Sequence, residues 1–208
     1  PELRATALVA RLGMAGDDAE AAALPVREMI SDADRVLKLS VIRALAVEPS
    51  VLLLEELASI ARSTVDASVR SEAVFALGKL GDSDPSTVPR VLEVLVALLS
   101  SRDVAIAARE AVASLGAPAL AFLERGLEDV GMRGPSAWAI TRALAGFEPA
   151  MVAPVLQRLL EGSSDGTVRY RALRQLRRVK SEAPELALDS ALLGRVVLST
   201  IQGAIWLI

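Results

Sequence analysis

The feature that most constrains this chain of 208 residues is a degenerate phrase that returns about every 32 to 35 residues. It is clearest at residues 66–81, which read DASVRSEAVFALGKLG. Aligning Asp66 with Asp34, Ser101, Arg133 and Asp165 leaves almost no insertions between the copies. Self-similarity at this period is the signature of stacked repeats, in which each unit packs on its neighbours in the sequence.

Each copy has the apolar spacing of an amphipathic helix. In the clearest copy Val69, Ala73, Leu77 and Leu80 fall on one helical face. One helix pair cannot bury such a stripe alone, so neighbouring pairs must share a core. No alternating strand pattern occurs. Helix-ending glycines and helix-starting Pro and Asp residues predict helices near 2–13, 19–31, 35–46, 50–63, 67–80, 86–100, 103–115, 118–128, 135–146, 149–161, 166–180 and 189–207.

Composition excludes many kinds of enzyme. The chain has no histidine and no cysteine, so it offers no Cys or His metal site, no histidine general base and no Ser-His-Asp triad. No pair of carboxylates stands out for acid–base work. We therefore expect no catalytic residue, no metal site and no cofactor. The formal net charge of −3 argues against general nucleic-acid binding, because neutralising phosphates needs a surplus of Lys and Arg.

The phrase opens with an acidic residue and a basic residue four positions later, as Asp34 with Lys38, Asp66 with Arg70 and Asp165 with Arg169. With the Ala and Leu positions that follow, this opening resembles HEAT repeats of the short bacterial class. The resemblance implies an all-α fold, an α-α superhelix in the form of a right-handed solenoid of about six HEAT-like helix pairs. It further implies a bacterial, non-catalytic scaffold for protein binding.

The two charged residues of the opening have an expected structural role. Each Asp is placed to cap its helix by accepting hydrogen bonds from free backbone amides. The Arg or Lys that follows can reach an Asp of its own or an adjacent repeat. Such a ladder of exposed pairs is favoured over any catalytic role.

The resemblance also places the helix that begins with this phrase on the concave surface of the solenoid. Equivalent positions of successive copies then form columns, one of which contains Phe75, Arg142 and Arg174. Arg171 and Arg178 lie in the two neighbouring columns. With Arg174 they stand at positions i, i+3 and i+7 of one helix. This end of the surface is predicted to be basic.

The basic end has two readings. As a binding patch it would engage an acidic peptide, a phosphate-bearing ligand or an anionic lipid surface, since guanidinium groups bind carboxylates and phosphates through paired hydrogen bonds. As an ordinary surface its arginines would face solvent, or pair with Glu182, Glu185 and Asp189.

Two aromatic residues occupy equivalent slots in adjacent copies. Trp138 and Tyr170 could clamp a peptide or a base. Other copies have Leu39, Ser71 and Ile106 in this slot, and because Leu and Ile occur there, packing between repeats is the favoured role.

We expect one repeat domain over residues 1–208, a fragment of a longer protein, with residues 189–208 as a terminal apolar packing helix. A cytoplasmic location and an acidic protein or peptide partner are expected, and membrane contact is the less favoured possibility. The last quarter of the chain is loosely similar to HEAT segments fused to bacterial nucleotide-translocase-like transporters. The alternative function is therefore a regulatory or accessory module of a larger membrane-associated protein.

Overall fold

The structure, a computed structural model, describes residues 1–32, 34–129, 134–163 and 165–205. These residues form helices and no strand, which confirms the all-α prediction. Short 3-10 helices precede or follow several of the α-helices. The α-helices of the described residues are α1 (Glu2–Met14), α2 (Ala19–Ser31), α3 (Arg35–Val47), α4 (Leu54–Ser63), α5 (Ala67–Ser83), α6 (Val88–Leu98), α7 (Ala105–Ser114), α8 (Gly116–Asp129), α9 (Gly134–Ala143), α10 (Pro149–Gly162), α11 (Gly166–Glu182) and α12 (Ser190–Ile205).

The chain divides into two compact units, which we call unit 1 (Pro1–Leu115) and unit 2 (Gly116–Ile208). In unit 1 the helices pair as α2 with α3, α4 with α5 and α6 with α7. The second helices of successive pairs also pack on one another, so α1, α3, α5 and α7 form a row. This is the stacking that the repeated stripe predicts. The prediction of a single domain over the whole chain stays a prediction.

Unit 2 has the same arrangement on a smaller scale. Helix α8 pairs with α9, and α10 pairs with α11. Helices α9 and α11 pack side by side as second helices, while α12 packs on α10. Each second helix in both units therefore has a neighbour of the same kind, and their outer faces lie next to each other.

The acidic residue that opens each clear copy is an N-cap, as predicted. Asp66 accepts hydrogen bonds from the backbone amides of Ser68 (2.9 Å) and Val69 (3.1 Å) at the start of α5. The side chains of Asp34 and Asp165 do the same at the starts of α3 and α11. These bonds satisfy amides that have no partner inside the helix, so the caps fix where the second helices begin.

The apolar stripe of each second helix is buried. Val69, Ala73, Ala76, Leu77 and Leu80 of α5 are all at most 1% exposed. Small residues allow close packing within this row, since α5 and α7 approach each other at Gly78 of α5 and Ala111 of α7. Burial of the stripe leaves the opposite side of each second helix to form a surface.

Two of the remaining predictions fall partly on residues that follow α8 and α12 and lie outside the described part of the chain. Arg133, which aligns one of the repeat copies, lies outside the described residues. The terminal apolar helix is described as α12 up to Ile205, and the last three predicted residues, 206–208, lie outside. In the described part, no single helix has both the length and the apolar character to cross a bilayer; only α7 taken together with residues 116–127, across a break, passes that test.

Candidate anion-binding cleft

Unit 2 contains a cleft of about 650 Å³ between its two second helices. We call it the arginine cleft. One wall comes from α9 and the turn after it, and the other from α11. Its lining consists of Thr141, Arg142, Ala145, Tyr170, Arg171, Arg174, Gln175 and Arg178. Four of the seven residues that the sequence analysis selected for binding are therefore arginines of one cleft, and Tyr170 is a fifth member.

The periodicity of α11 explains why the arginines share this side. Val168, Ala172, Leu176 and Val179 are buried at 2% exposure or less. The residues between these positions cannot enter the core and must face outward. Helix α9 behaves likewise, since Thr141 is buried and donates a hydrogen bond to the carbonyl of its own helix at Ala137, 2.7 Å away.

Arg171 is held by an aromatic ring. Its guanidinium carbon lies 5.5 Å from the centroid of the Trp138 ring, within the range of a cation–π contact. Trp138 is half-buried, and its indole nitrogen is buried with no hydrogen-bond partner among the described residues. The ring therefore fixes the direction of the guanidinium without neutralising its charge.

Arg178 is held by the backbone instead. Its Nη1 donates a hydrogen bond to the carbonyl oxygen of Ala145, across the cleft from α11. Its Nε lies 3.8 Å from Glu182 Oε1, which is an ion pair but too long for a hydrogen bond. Arg178 Nε and Nη2 are buried and have no hydrogen-bond partner among the described residues. Arg178 is thus partly structural, tying α11 to the end of α9.

The other three arginines of the cleft have no acidic partner among the residues that the structure describes. Arg142, Arg171 and Arg174 form no ion pair with any carboxylate in the described parts of unit 2, and no carboxylate lines the cleft. Of the acids that the sequence offered as partners, only Glu182 pairs with a cleft arginine. Asp189 instead caps α12, where it accepts from the Leu192 amide at 2.9 Å.

Tyr170 contradicts the favoured packing role. Its side chain is 62% exposed, and Ile106 in the same slot of unit 1 is 65% exposed. Tyr170 lies two residues after the buried Val168, on the outward side of α11, and packing between repeats does not cover it, whereas Leu39 in the same slot of α3 is buried. Trp138 is half-buried and packs under Arg171, which agrees better with that role.

Phe75, the remaining selected residue, lies in unit 1 and lines a cleft of its own, of about 350 Å³. Its ring is 51% exposed, and Lys79 Nζ lies 5.6 Å from the ring centroid. Phe75 is not among the residues that line the arginine cleft. The lining of this unit 1 cleft consists of Ser68, Ser71, Glu72, Phe75, Gly78, Lys79, Ala107, Glu110, Ala111 and Ser114.

One wall of the unit 1 cleft is formed by α5, most of which lies in a segment that matches the model of a known family. Residues 69–101, from the first turn of α5 to just beyond α6, match the family model described as PBS lyase HEAT-like repeat. The chain contains a HEAT-like repeat. This confirms the resemblance, and HEAT-like repeats are building blocks of interaction scaffolds. No curated protein matches the chain.

The HEAT-like repeat carries an ion-pair ladder that connects it to its neighbours. Arg43 of α3 donates to Glu72 of α5, with 2.9 Å between Nη2 and Oε1. Arg70 of α5 reaches forward to Asp103 at 3.4 Å and donates to Ser101 at 3.0 Å. Arg70 confirms the predicted reach to an Asp of the adjacent repeat, whereas Arg169 donates to the Ser163 backbone carbonyl instead. The sequence analysis did not pair Arg43 with Glu72, although their separation along the chain is close to the repeat length.

The same slots hold a different pair of charges in unit 2. Arg142 is the equivalent of Arg43, and Arg171 is the equivalent of Glu72, with the same separation along the chain. Where unit 1 places a carboxylate opposite an arginine, unit 2 places a second arginine. Arg43 is neutralised by Glu72 in unit 1, whereas among the described residues of unit 2 no carboxylate balances Arg142 and Arg171.

Several residues of the two clefts escaped the sequence analysis. Gln175 and Ala145 line the arginine cleft, and Ala145 supplies the acceptor that holds Arg178. A backbone acceptor leaves no mark in the residue types, so no sequence signal could have found it. Among the described residues, no group of three or more acidic side chains is placed to hold a metal ion.

Proposed function

We propose that the chain is a non-catalytic interaction scaffold that binds an acidic segment of a protein partner in the arginine cleft. The single observation that carries this proposal is the replacement of the Arg43–Glu72 ion pair by Arg142 and Arg171 in the equivalent slots. Two guanidinium groups on one surface repel each other, and a bound carboxylate would supply the missing counter-charge.

Two arginines of the cleft have their side-chain orientations fixed by neighbouring groups, which favours a binding role over a merely solvated surface. Trp138 orients Arg171, and the Ala145 carbonyl orients Arg178. Side chains that are already ordered lose less conformational entropy when a ligand arrives. Rigid stacked helices would therefore present the charges at fixed positions to a partner.

A protein partner is favoured over a nucleic acid. The chain as a whole carries a formal net charge of −3, so it lacks the surplus of Lys and Arg that binding a long polyanion needs. A short acidic segment that projects from a protein surface would contact the cleft alone. HEAT-like repeats also typically mediate contacts between proteins.

The test uses a fluorescein-labelled dodecapeptide of alternating Glu and Gly as the probe. Binding to the intact chain is measured by fluorescence anisotropy at low and at physiological salt. We expect affinity that falls as salt rises, because exposed charges are screened. The double variant R171E/R174E is expected to lose this binding.

The matched control is R125E/R177E, which makes the same charge change in unit 2. Arg125 and Arg177 are exposed and do not line the cleft. We expect this control to keep most of the affinity. Equal losses in the two double variants would mean that only overall charge matters and would remove the cleft from the proposal. Arg178 is left intact because it ties α11 to the end of α9.

A further inference from the structure

We infer that the group read by the arginine cleft is a phosphorylated serine or threonine side chain of the partner segment. The inference rests on the proposed function, because it names the chemistry of the acidic segment. Its geometry is that of Arg142, Arg171 and Arg174 lining one cleft, with no carboxylate among the lining residues that the structure describes.

The charge that the cleft must balance exceeds what one carboxylate supplies. Arg142, Arg171 and Arg174 have no carboxylate partner in the described parts of the chain, so a single Asp or Glu would leave two of them unmatched. A phosphate monoester carries close to two negative charges at neutral pH and three acceptor oxygens. One such group can accept from more than one guanidinium at the same time.

The anchoring of Arg171 suits this ligand. Its guanidinium is held over the Trp138 ring, which consumes none of its hydrogen-bond donors. A planar fork with free donors matches the tetrahedral oxygens of phosphate through two parallel bonds. The volume of about 650 Å³ leaves room for the residues on either side of the phosphorylated one.

Phosphate recognition also has a pH signature, which comes from the second ionisation of the phosphate itself. The second pKa of a phosphate monoester lies near 6, so the group loses one charge between about pH 7.5 and pH 5.5. The chain has no histidine or cysteine. The charged and titratable groups around Arg171 are Arg142, Arg174 and Arg178, with Glu182 beside Arg178, and Tyr170.

The experiment compares three dodecapeptides that differ only at a central position, which is Ser, phosphoserine or Glu. Affinity for the intact chain is measured by calorimetry at pH 7.5 and at pH 5.5. We expect the phosphopeptide to bind about tenfold more tightly than the Glu peptide at pH 7.5. We expect that advantage to shrink severalfold at pH 5.5, where the phosphate is largely a monoanion.

Variants assign the effect to the cleft. R171E is expected to abolish the preference for phosphoserine, and R177E, the same change on the same helix outside the cleft, is expected to keep it. Equal affinities of the phosphoserine and Glu peptides would overturn the inference and leave the proposed function standing. Failure of all acidic probes, including the Glu–Gly dodecapeptide, would overturn both.

Two further measurements distinguish a phosphopeptide from the other sources of phosphate, a free ion and a lipid headgroup. Inorganic phosphate that competes at the same concentration as the phosphopeptide would show that the cleft reads a free ion, which contradicts a peptide ligand. Binding to vesicles containing phosphatidic acid that is lost in R171E, without phosphopeptide binding, would assign the cleft to a lipid headgroup and overturn the inference.

Discussion

Gly78 of α5 lies directly against Ala111 of α7: a Cβ atom built on Gly78 would stand 3.0 Å from the Ala111 Cβ and 3.3 Å from its Cα. Real Cβ atoms rarely approach this closely, and a backbone atom cannot move aside as a flexible side chain can. The glycine therefore sets how near the two second helices pack, directly beneath the unit 1 cleft.

Gly78→Ala is expected to destabilise the protein. Alanine improves helix propensity by about 1 kcal/mol, but overpacking against Ala111 costs about 1 to 3 kcal/mol. We expect a net loss of about 1 kcal/mol in the free energy of unfolding, measured by urea denaturation. Gly13→Ala is the control, since its nearest atom lies 3.9 Å away, and it should be neutral or slightly stabilising. A stabilised Gly78→Ala would contradict the close approach of α5 and α7.

The division of α5 into a buried stripe and an exposed face predicts different costs for two neighbouring truncations. Leu77 is fully buried, so Leu77→Ala should cost about 2 to 5 kcal/mol. Phe75 is 51% exposed, so Phe75→Ala should cost about 1 kcal/mol or less despite its larger side chain. Chemical denaturation of both variants gives the comparison. A larger cost at Phe75 would mean that the face is covered.

Asp66 predicts a specific dependence of stability on acid pH. The pKa of this carboxyl is lowered in the folded state, mainly by a hydrogen bond from Arg35 and further by one from the Val69 amide. The unfolded state then binds its proton first as pH falls below about 4, so the stabilisation is present above that pH and disappears below it. Asp66→Asn should flatten the change in melting temperature between pH 4 and 2. An unchanged slope would contradict the lowered pKa.

The unbalanced charge of the arginine cleft predicts a difference between two variants of one residue. Both R171E and R171Q remove the contact with the Trp138 ring, but only glutamate offers Arg142 a carboxylate in the slot that Glu72 fills in unit 1. R171E should be more stable than R171Q by about 0.2 to 1 kcal/mol at low salt. The difference should fall in 0.5 M NaCl, because salt screens exposed charges. Equal stabilities at low salt would contradict the equivalence of the two slots.

The sequence alone determined the helices, their caps and the side of each helix that is buried. These features follow from local spacing, because a stripe repeated with the period of a helix and a capping Asp act within a few residues. The period also placed Arg142, Arg171, Arg174 and Arg178 on one side of their helices. That much of the cleft could be read before any coordinates.

Only the tertiary structure decided which of those side chains pair and with what. Arg178 is held by the Ala145 carbonyl, Tyr170 is exposed, and Phe75 lines a separate cleft in unit 1. The physical reason is that a hydrogen bond tolerates only a few tenths of an ångström of variation in the donor–acceptor distance, and here the donor and acceptor lie about one repeat length apart in the chain. Helical periodicity fixes the face on which a side chain lies, and the packing of neighbouring helices fixes its partner.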